Sequence, residues 1–358
     1  MTAVSLINIS KIRNITEEIL SPGSHVNLVY GDNGSGKTSI LEAIYLAAIG
    51  RSFRGSKINP LIQYNADNAT VYVELRGGNT IGLQKSRKER PLLKFNGSIQ
   101  TNWLEIARAM PVQVIEPNTF RLLEGGPKER RRFLDWGVFH VEPSFSEHWR
   151  NARKCIEHRN LLLKSPQPDT NLIRAWSTEL ARESRLVDKA RSAYFDTFMP
   201  IFGNVLQEIA NIRDISIEYN RGWPKGGDLL EELQKSEPSD VRSGFTQRGP
   251  HRADIVVRSG SDIAIDVLSR GQQKMVVSAL KLAQGKLQAQ TSNNRCIFLV
   301  DDLAAELDSD NRARVCEYLT SLDTQVFITC VDLEALKNSF ISDKLVPKFH
   351  VKHGKIEA

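Results

Sequence analysis

One stretch of the chain has the residue types and the spacing that phosphate binding requires. It fits the pattern G-x-x-x-x-G-K-[ST] and consists of Gly31, Asp32, Asn33, Gly34, Ser35, Gly36, Lys37 and Thr38, followed by Ser39. Glycines permit backbone torsions that let successive N–H groups converge on phosphate oxygens at the start of a helix. In such a loop the Lys37 ammonium reaches the outer phosphates and the Thr38 hydroxyl ligates Mg²⁺. The stretch predicts a site for ATP and Mg²⁺, and the alternative is a chance match to a short pattern.

Two adjacent carboxylates late in the chain could complete this site. Asp301 and Asp302 follow the apolar run 297–300. A strand that is buried on both faces delivers such residues to the C-terminal edge of its sheet, where ligands bind. Asp301 is predicted to hold the Mg²⁺, directly or through water, and Asp302 is suited to orient or polarise an attacking water. The alternative is that the pair only ends a strand and begins a turn.

A second candidate anion site lies before these carboxylates. Ser269, Gly271 and Gln272 stand at the start of a predicted helix, where exposed N–H groups attract negative charge. One chain seldom needs two phosphate cradles. The alternative is a helix that is capped by Ser269 and binds no ligand.

Alternating strands and helices must position these residues. Apolar residues at helical spacing predict a helix over 38–49 that packs one stripe on a sheet. Short apolar runs predict strands at 5–9, 26–30, 70–75, 80–84, 112–115, 255–258, 296–300 and 325–329. The stretch 127–211 instead predicts long helices, and Pro238 is expected to break the chain after a short helix over 228–235.

These elements predict an α/β protein with an inserted helical lobe. The two ends of the chain, residues 1–124 and 246–358, are expected to form one nucleotide-binding sheet lobe, and residues 125–245 are expected to form the mainly helical insert. The phosphate loop belongs to the first part, and the serine turn and the paired carboxylates belong to the last part.

The composition narrows the class of protein. The chain has 358 residues and a net charge of +6, so a polyanion such as DNA fits only if the basic residues concentrate on one face. The four cysteines include no C-x-x-C pair, which is typical of a reducing compartment. No basic region followed by an apolar core begins the chain, and no apolar run approaches the ~20 residues of a membrane helix. We expect a cytoplasmic protein with no membrane partner.

Six blocks of the sequence resemble the RecF family of bacterial DNA repair and recombination proteins, in the family's order and across nearly the whole chain. They lie at 11–15 (KIRNI), 50–54 (GRSFR), 126–135 (GPKERRRFLD), 249–254 (GPHRAD), 268–272 (LSRGQ) and 301–308 (DDLAAELD). The resemblance implies an ABC-type ATPase head with a mixed phosphate-loop sheet lobe, an inserted helical lobe and no long coiled coil.

The resemblance also implies roles for single residues. In ABC-type heads, the turn at Ser269 of one subunit closes over the γ-phosphate held by the other, so the family resemblance implies an ATP-dependent homodimer. Asp308 resembles the acid of the loop that crosses this interface. Gln113 resembles the glutamine that links the metal to the helical lobe. The resemblance therefore implies Asp302, Lys37 and Gln113 as catalytic residues, and Gln113 also as a metal ligand.

One position departs from the wider superfamily. Where many members have a histidine after the last core strand, this chain has Thr329 followed by Cys330. No residue of this chain is therefore predicted to contact the γ-phosphate from the side on which the histidine lies in those members.

Membership of this family would imply a weak, DNA-stimulated ATPase in which slow ATP hydrolysis controls release from DNA. The expected DNA is single-stranded, gapped or contains a junction between single and double strands. The expected protein partners are mediators of the RecR and RecO type, which help to load RecA recombinase.

Basic residues in two regions could contact DNA phosphates. They are Arg51, Arg54, Lys128, Arg130, Arg131, Arg132, Arg150, Arg153, Lys154 and Arg159. The alternative is a solvated helix face on which Glu129, Glu147 and Glu157 pair with them, or a helix end that Arg51 and Arg54 anchor. His251 is expected to make a structural hydrogen bond rather than to contact DNA or phosphate.

Two other classes share the nucleotide motifs. In the ATP-binding subunit of a transporter, the phosphate loop and the serine turn usually lie much closer together, and an aromatic residue before the loop stacks on adenine. A chromosome-organising head of the SMC or Rad50 kind needs a long heptad repeat, for which the predicted insert is too short.

Overall fold

The computed structural model describes residues 2–55, 57–117, 121–292, 294–303, 307–334, 336 and 346–357. Three residues of the block at 301–308, Ala304, Ala305 and Glu306, lie outside the described residues. Contacts divide the chain into two compact units. The first unit comprises Met1–Thr119, Asn204–Asn211 and Lys274–Ala358, and the second unit comprises Phe120–Gly203 and Ile212–Gln273.

The described residues include strands and helices along the whole chain. The strands are β1 Val4–Ile12, β2 Ile15–Leu20, β3 Val26–Tyr30, β4 Asn68–Leu75, β5 Thr80–Ser86, β6 Leu92–Phe95, β7 Ser98–Ile99, β8 Val112–Ile115, β9 Ile215–Asn220, β10 Asp254–Ser259, β11 Asp262–Ile263, β12 Ile297–Val300, β13 Val326–Cys330, β14 Lys348–Lys352 and β15 Lys355–Glu357. The helices are α1 Lys37–Ile49, α2 Leu104–Ala109, α3 Arg121–Glu124, α4 Pro127–Val141, α5 Phe145–Leu163, α6 Thr170–Ile209, α7 Leu229–Ser243, α8 Ala264–Val267, α9 Arg270–Thr291 and α10 Ser309–Ser321. No helix in these described ranges is long and apolar enough to cross a membrane.

A largely parallel sheet in the first unit joins the two ends of the chain. Its strand order is β15-β14-β3-β13-β12-β8, and only β15 runs antiparallel to its neighbour. β12 and β13 are buried at every position because strands inside such a sheet are covered on both faces. β13 therefore lies between β3, which precedes the phosphate loop, and β12, which precedes Asp301. The prediction that early and late parts share one sheet is confirmed.

A second sheet of the first unit is antiparallel, with the order β2-β1-β4-β5-β6-β7. Helix α1 contacts β1 and β4 of this sheet and β13 of the parallel sheet. The predicted single apolar stripe on this helix is therefore too narrow. Because α1 packs against both sheets, it is buried on most of its surface, and even its Glu42 side chain is fully enclosed.

Helices dominate the second unit, which also contains the small sheet β11-β10-β9. The predicted break at Pro238 is wrong, because α7 continues through this residue to Ser243. A tertiary contact explains the continuation. Beyond the proline, the fully buried Asp240 accepts a 2.7 Å hydrogen bond from Arg159 of α5. This buried ion pair holds the last turns of α7 in place against the local preference of proline.

Residues 246–273 lie in the second unit, whereas the predicted divide at residue 245 assigned them to the sheet lobe. Strand pairing explains the difference. β10 pairs with β9 along its whole length, and the Arg130 side chain of α4 binds Asp254 of β10 at 2.8 Å. The apolar pattern of β10 showed a strand but not its partner.

Candidate functional site

The predicted phosphate loop connects β3 to α1, and its backbone takes conformations that favour glycine. The φ angles are +143° at Gly31, +77° at Gly34 and +124° at Gly36. A Cβ atom at Gly31 would overlap the carbonyl oxygen of Val351 in β14. Glycine is therefore required at this position by both the torsion and the close approach of a neighbouring strand. The loop delivers the first N–H groups of α1, which have no partner within a helix, to one edge of the sheet.

Two residues from outside the loop, Asn14 and Gly354, fix its shape. The Asn14 Nδ2 group donates to the carbonyl oxygens of Gly34 at 3.1 Å and Ser35 at 2.9 Å, and the Ser39 hydroxyl donates to Asn14 Oδ1 at 3.1 Å. From the β14–β15 turn, the Gly354 N–H donates to the Ser35 carbonyl at 2.7 Å. Asn14 belongs to a block that carries the family resemblance, but no role in the site was predicted for it.

The Lys37 side chain lies along the phosphate loop. Its ammonium group donates to the carbonyl oxygens of Gly31 at 2.7 Å and Asp32 at 2.9 Å, and only 7% of the residue is exposed. A charged group this enclosed needs several oxygen partners. The loop carbonyls therefore hold the ammonium against the phosphate loop.

The paired carboxylates meet the phosphate loop at the same edge of the sheet. Asp301 Oδ1 accepts hydrogen bonds from the Thr38 hydroxyl at 3.0 Å and from the Thr329 hydroxyl at 2.8 Å. The next N–H, that of Asp302, donates to Thr329 Oγ1 at 2.8 Å. Burial raises the pKa of the Asp301 carboxyl, and the two hydroxyl donors oppose that rise. The phosphate loop, from early in the chain, and Asp301 and Thr329, from late in the chain, therefore form one cluster of side chains.

A pocket of about 310 Å³ opens over this cluster. It is lined by Arg13, Asn14, Asn33, Gly34, Gly36, Lys37, Thr38, Ser39, Arg54, Asp301, Asp302 and Thr329. Arg54, which was predicted as a DNA contact or as an anchor of the helix end, is one of these lining residues. Thr38 and Asp301 present two hard oxygen donors side by side, a donor set that suits Mg²⁺.

The structure does not bring Gln113 to this pocket. Gln113 lies in β8 opposite Phe298, three residues before Asp301 along the neighbouring strand. Its side chain is buried, donates to Gln284 Oε1 at 2.9 Å and accepts from Lys281 at 3.3 Å. Three residues of extended chain span about 10 Å. The predicted metal contact is therefore inconsistent with this position. The family resemblance suggested a glutamine for the site, but the sequence alone did not show which residue of β12 lies opposite Gln113.

The serine turn lies in the second unit and begins α9, whose residues from Lys274 onward belong to the first unit. The Ser269 N–H donates to Gln272 Oε1 at 2.9 Å, and the Gln272 N–H donates to Ser269 Oγ at 3.3 Å. This reciprocal pair caps the helix. Ser269, Arg270, Gly271 and Gln272 are all exposed, so the turn presents a helix N-terminus on the surface of its unit.

Asp308 also caps a helix, α10 in the first unit. Its carboxylate accepts from the Asn311 N–H at 3.0 Å and from the Asn311 side chain at 2.7 Å. These hydrogen bonds hold the pKa of the exposed Asp308 carboxyl below its usual value.

The basic residues predicted to contact DNA fall into two groups. Some of them are committed to the fold of the second unit. Arg159 is fully buried and binds Asp240, Thr246 and Ser177, so its predicted DNA contact is wrong. Arg130 pairs with Asp254, and Arg131 donates to the Ala253 carbonyl at 2.7 Å.

The remaining basic residues are exposed. They are Arg51, Arg54, Lys128, Arg132, Arg150, Arg153 and Lys154. Arg132 pairs with Glu129 at 2.7 Å and Arg153 lies 3.6 Å from Glu157, as the helical spacing predicted. Exposed pairs of this kind are weak and can be exchanged for other partners.

The interpretation of His251 as a structural residue agrees with its contacts. Its Nε2 atom lies 2.9 Å from the Thr246 carbonyl oxygen. Burial lowers the pKa of the imidazole to about 4, so the ring is neutral at pH 7.

A phosphate loop and paired carboxylates at one edge of a parallel sheet, with a second, helical unit that carries a serine turn, define an ABC-type ATPase head. Residues 3–357 match the model of the RecF/RecN/SMC N terminal domain family. The chain belongs to this group and, within it, to the RecF family.

Similar proteins support this assignment over the whole chain. The "DNA replication and repair protein RecF" of Pseudomonas aeruginosa is 42% identical over 358 residues, which is 99% of this chain and 97% of that protein. The protein of the same name from Pseudomonas entomophila is 43% identical over 354 residues, which is 98% of this chain and 96% of that protein.

Solved structures agree in fold. A structure described as "the recombination mediator protein RecF-ATP in RecFOR pathway" is 26% identical with a TM-score of 0.86, and the match covers 99% of this chain and 97% of that one. An Smc head domain from Pyrococcus furiosus has a TM-score of 0.61 at 16% identity, covering 100% of this chain and 96% of that one, so it shows the common fold alone.

The Gly354 contact with the phosphate loop gives a testable prediction. A Cβ atom at Gly354 would overlap the Asn14 carbonyl oxygen, so Gly354→Ala should lower the free energy of unfolding by at least about 3 kcal/mol. Gly78→Ala is the control, because Gly78 has a similar φ of +87° and open space around it, so that only the torsional cost of about 1 kcal/mol applies. Urea unfolding measures both. Equal losses of stability would contradict the close approach.

Proposed function

We propose that this protein is an ATP-dependent DNA-binding protein of recombinational repair and replication restart, and that it acts as an ATP-driven dimer. The observation that carries the proposal is the cluster of Thr38, Asp301 and Thr329 at the phosphate loop. The names of its relatives support a role in DNA replication and repair, and the similarity to a structure described as RecF-ATP supports ATP as the nucleotide.

In the proposed nucleotide site, the loop N–H groups and Lys37 hold the phosphates of ATP. Thr38 and Asp301 would hold Mg²⁺, which supplies positive charge to the phosphate oxygens when it is bound. Arg54 lines the same pocket, and this position supports a phosphate contact for its guanidinium beside the DNA contact proposed for it. The loop shape that Asn14 and Gly354 maintain would keep these donors ready before the nucleotide binds.

Asp302 is the proposed residue that acts on water. Its carboxylate would orient the water that attacks the γ-phosphorus and would accept a proton from it, while the bond from the γ-phosphorus to the leaving oxygen breaks to give ADP and phosphate. Asp301 is already engaged by two hydroxyl donors, which separates the two roles between adjacent carboxylates. We infer slow turnover that is stimulated by DNA and that controls release.

We propose that the serine turn acts on the nucleotide of a second subunit, because it is an anion site separate from the phosphate loop. Ser269, Gly271 and Gln272 would contact the γ-phosphate of the nucleotide held by the partner, and Asp308 would cross the interface. The exposure of the turn on its own unit supports this proposal. A helix N-terminus offers N–H groups and a partial positive charge to that phosphate.

Gapped, single-stranded or junction DNA is the proposed polyanion, with Lys128, Arg132, Arg153 and their exposed neighbours as phosphate contacts. Mediators of the RecR and RecO type that help to load RecA are the proposed protein partners, in the cytoplasm. Support comes from the words "RecFOR pathway" in the description of a similar structure and from the exposed basic residues of α5.

Nucleotide binding and turnover can be separated by two substitutions. Lys37→Met should weaken ATP binding about 10- to 100-fold, because it removes a charge-assisted contact to phosphate. Asp302→Asn should keep ATP binding but slow hydrolysis about 10²- to 10⁴-fold, because the proton acceptor is removed. Calorimetry and phosphate release measure the two effects. Lys94→Met, an exposed lysine of β6, is the matched control and should change neither. Unchanged turnover in Asp302→Asn would remove this residue from the mechanism.

The dimer is tested by placing a large charged side chain in the serine turn. Ser269→Arg should leave ATP bound to each monomer but should abolish the ATP-dependent dimer, which sedimentation velocity detects. Ser261→Arg introduces the same side chain at another exposed serine of the second unit and should leave the dimer intact. An ATP-dependent dimer in Ser269→Arg would contradict the proposed interface.

The DNA surface is tested by charge reversal on α5. Arg150→Glu with Lys154→Glu should weaken binding of gapped DNA and should reduce the slope of log K against log salt by about 0.9 for each DNA phosphate that is no longer neutralised. Lys235→Glu with Arg242→Glu changes the net charge equally on exposed positions of α7 and is the control. Fluorescence anisotropy in a salt series gives both values. Equally weakened binding in the two double variants would place the DNA elsewhere.

A further inference from the structure

Thr329 stands at the end of β13, beside the two carboxylates of the site. In the register of the parallel sheet, Val300 of β12 pairs with Ile328 of β13, so the next residues, Asp301 and Thr329, are neighbours across the strands. Thr329 is fully buried although its side chain is polar. A buried hydroxyl at this place must be satisfied by its surroundings.

The two hydrogen bonds of the Thr329 hydroxyl go to adjacent residues. The hydroxyl donates to Asp301 Oδ1 at 2.8 Å and accepts from the Asp302 N–H at 2.8 Å. A hydroxyl has one proton to donate and lone pairs that accept, so both bonds form at once and fix a single orientation. The carboxylate of one residue and the backbone of the next are thereby tied to the same oxygen.

The backbone of Asp302 departs from the strand at this point. Its φ is +53°, in the left-handed region that is unfavourable for a residue with a side chain. In a regular strand, adjacent side chains point to opposite faces of the sheet. Here both Asp301 and Asp302 line the same pocket. The left-handed turn is what allows this arrangement, and the Asp302 N–H bond to Thr329 holds the turn.

We propose that Thr329 is a positioning residue for both carboxylates: through one hydroxyl it orients Asp301 and keeps the Asp302 backbone in the left-handed conformation that directs its carboxylate into the pocket. This role rests on the proposed ATP hydrolysis. Thr329 also lies on the side of the pocket for which the sequence motifs predicted no residue.

The competing explanation is that Thr329 only stabilises the end of the sheet. Three substitutions separate the two roles. Thr329→Val removes the hydroxyl but keeps the shape, and Thr329→Ser keeps the hydroxyl. Thr324→Val is the matched control, because Thr324 is also buried and its hydroxyl donates to the Cys296 carbonyl at the opposite end of the same two strands.

The positioning role predicts a change in turnover without a matching change in binding. In Thr329→Val, kcat for ATP hydrolysis should fall about 10- to 100-fold, the usual effect of removing a group that orients functional residues. The Kd for ATP should change about threefold or less, since the phosphate loop is intact. Thr329→Ser should restore most of kcat, and Thr324→Val should lower stability while keeping kcat.

Hydrogen exchange tests the contact without any turnover. In nucleotide-free wild-type protein the Asp302 amide should be protected from exchange, and Thr329→Val should remove that protection while Thr329→Ser keeps it. The wild-type measurement remains decisive even if Thr329→Val does not fold.

Three results would overturn the proposal: an unprotected Asp302 amide in the wild type, wild-type kcat in folded Thr329→Val, or an equal fall of kcat in Thr324→Val. A wild-type protein that binds ATP but never hydrolyses it would instead overturn the proposed function, and the exchange data would then decide the Asp302 contact by itself.

Discussion

The contact between Thr38 and Asp301 is the interaction on which the rest of the site depends. It joins the first residues of α1 to the end of β12 through a 3.0 Å hydrogen bond, although the two residues are 263 positions apart. The contact exists because β13 lies between β3 and β12, with all three strands parallel and in register at their C-terminal ends. Since parallel strands end at a common edge, the loop after one strand and the carboxylates after another meet there.

The parts of the site that the sequence predicted are those defined by local chemistry. The glycines and Lys37 form a contiguous motif, and the torsions at Gly31, Gly34 and Gly36 follow directly from residue type. The position of Asp301 could be predicted because a short, wholly apolar run before two carboxylates is typical of a strand that is covered on both faces. In each case, neighbouring residues carry enough information to predict the backbone and the chemistry together.

The parts that the sequence missed are contacts between distant segments. Asn14 and Gly354 fix the phosphate loop from other turns, and no local pattern identifies the partner of an asparagine side chain or a glycine N–H. Gln113 shows the opposite error, because a suitable residue type was assigned to the site although its strand register places it in the core. Pro238 shows how a buried ion pair can outweigh local helix propensity.

The basic residues illustrate the same limit in electrostatic terms. Arg159 and Arg150 belong to one helix, yet the first is fully buried in an ion-pair network and the second is exposed. Composition and spacing do not distinguish these two arginines. Only the exposed one can neutralise a DNA phosphate without breaking the fold. Burial therefore decides which charges are available to a partner.

The proposed dimer requires that each nucleotide site is completed by the serine turn of another subunit. The most direct test measures ATP turnover after mixing Lys37→Met, which is expected to bind ATP weakly, with Ser269→Arg, which is expected not to form the ATP-dependent dimer. In a mixed dimer with sites that cross subunits, both defects fall in one site and the other site is intact, so turnover should return well above the level of either variant. If Ser269 acted on the nucleotide of its own subunit, every site would carry one defect. The absence of any recovery in confirmed mixed dimers would therefore contradict a site that is shared between subunits.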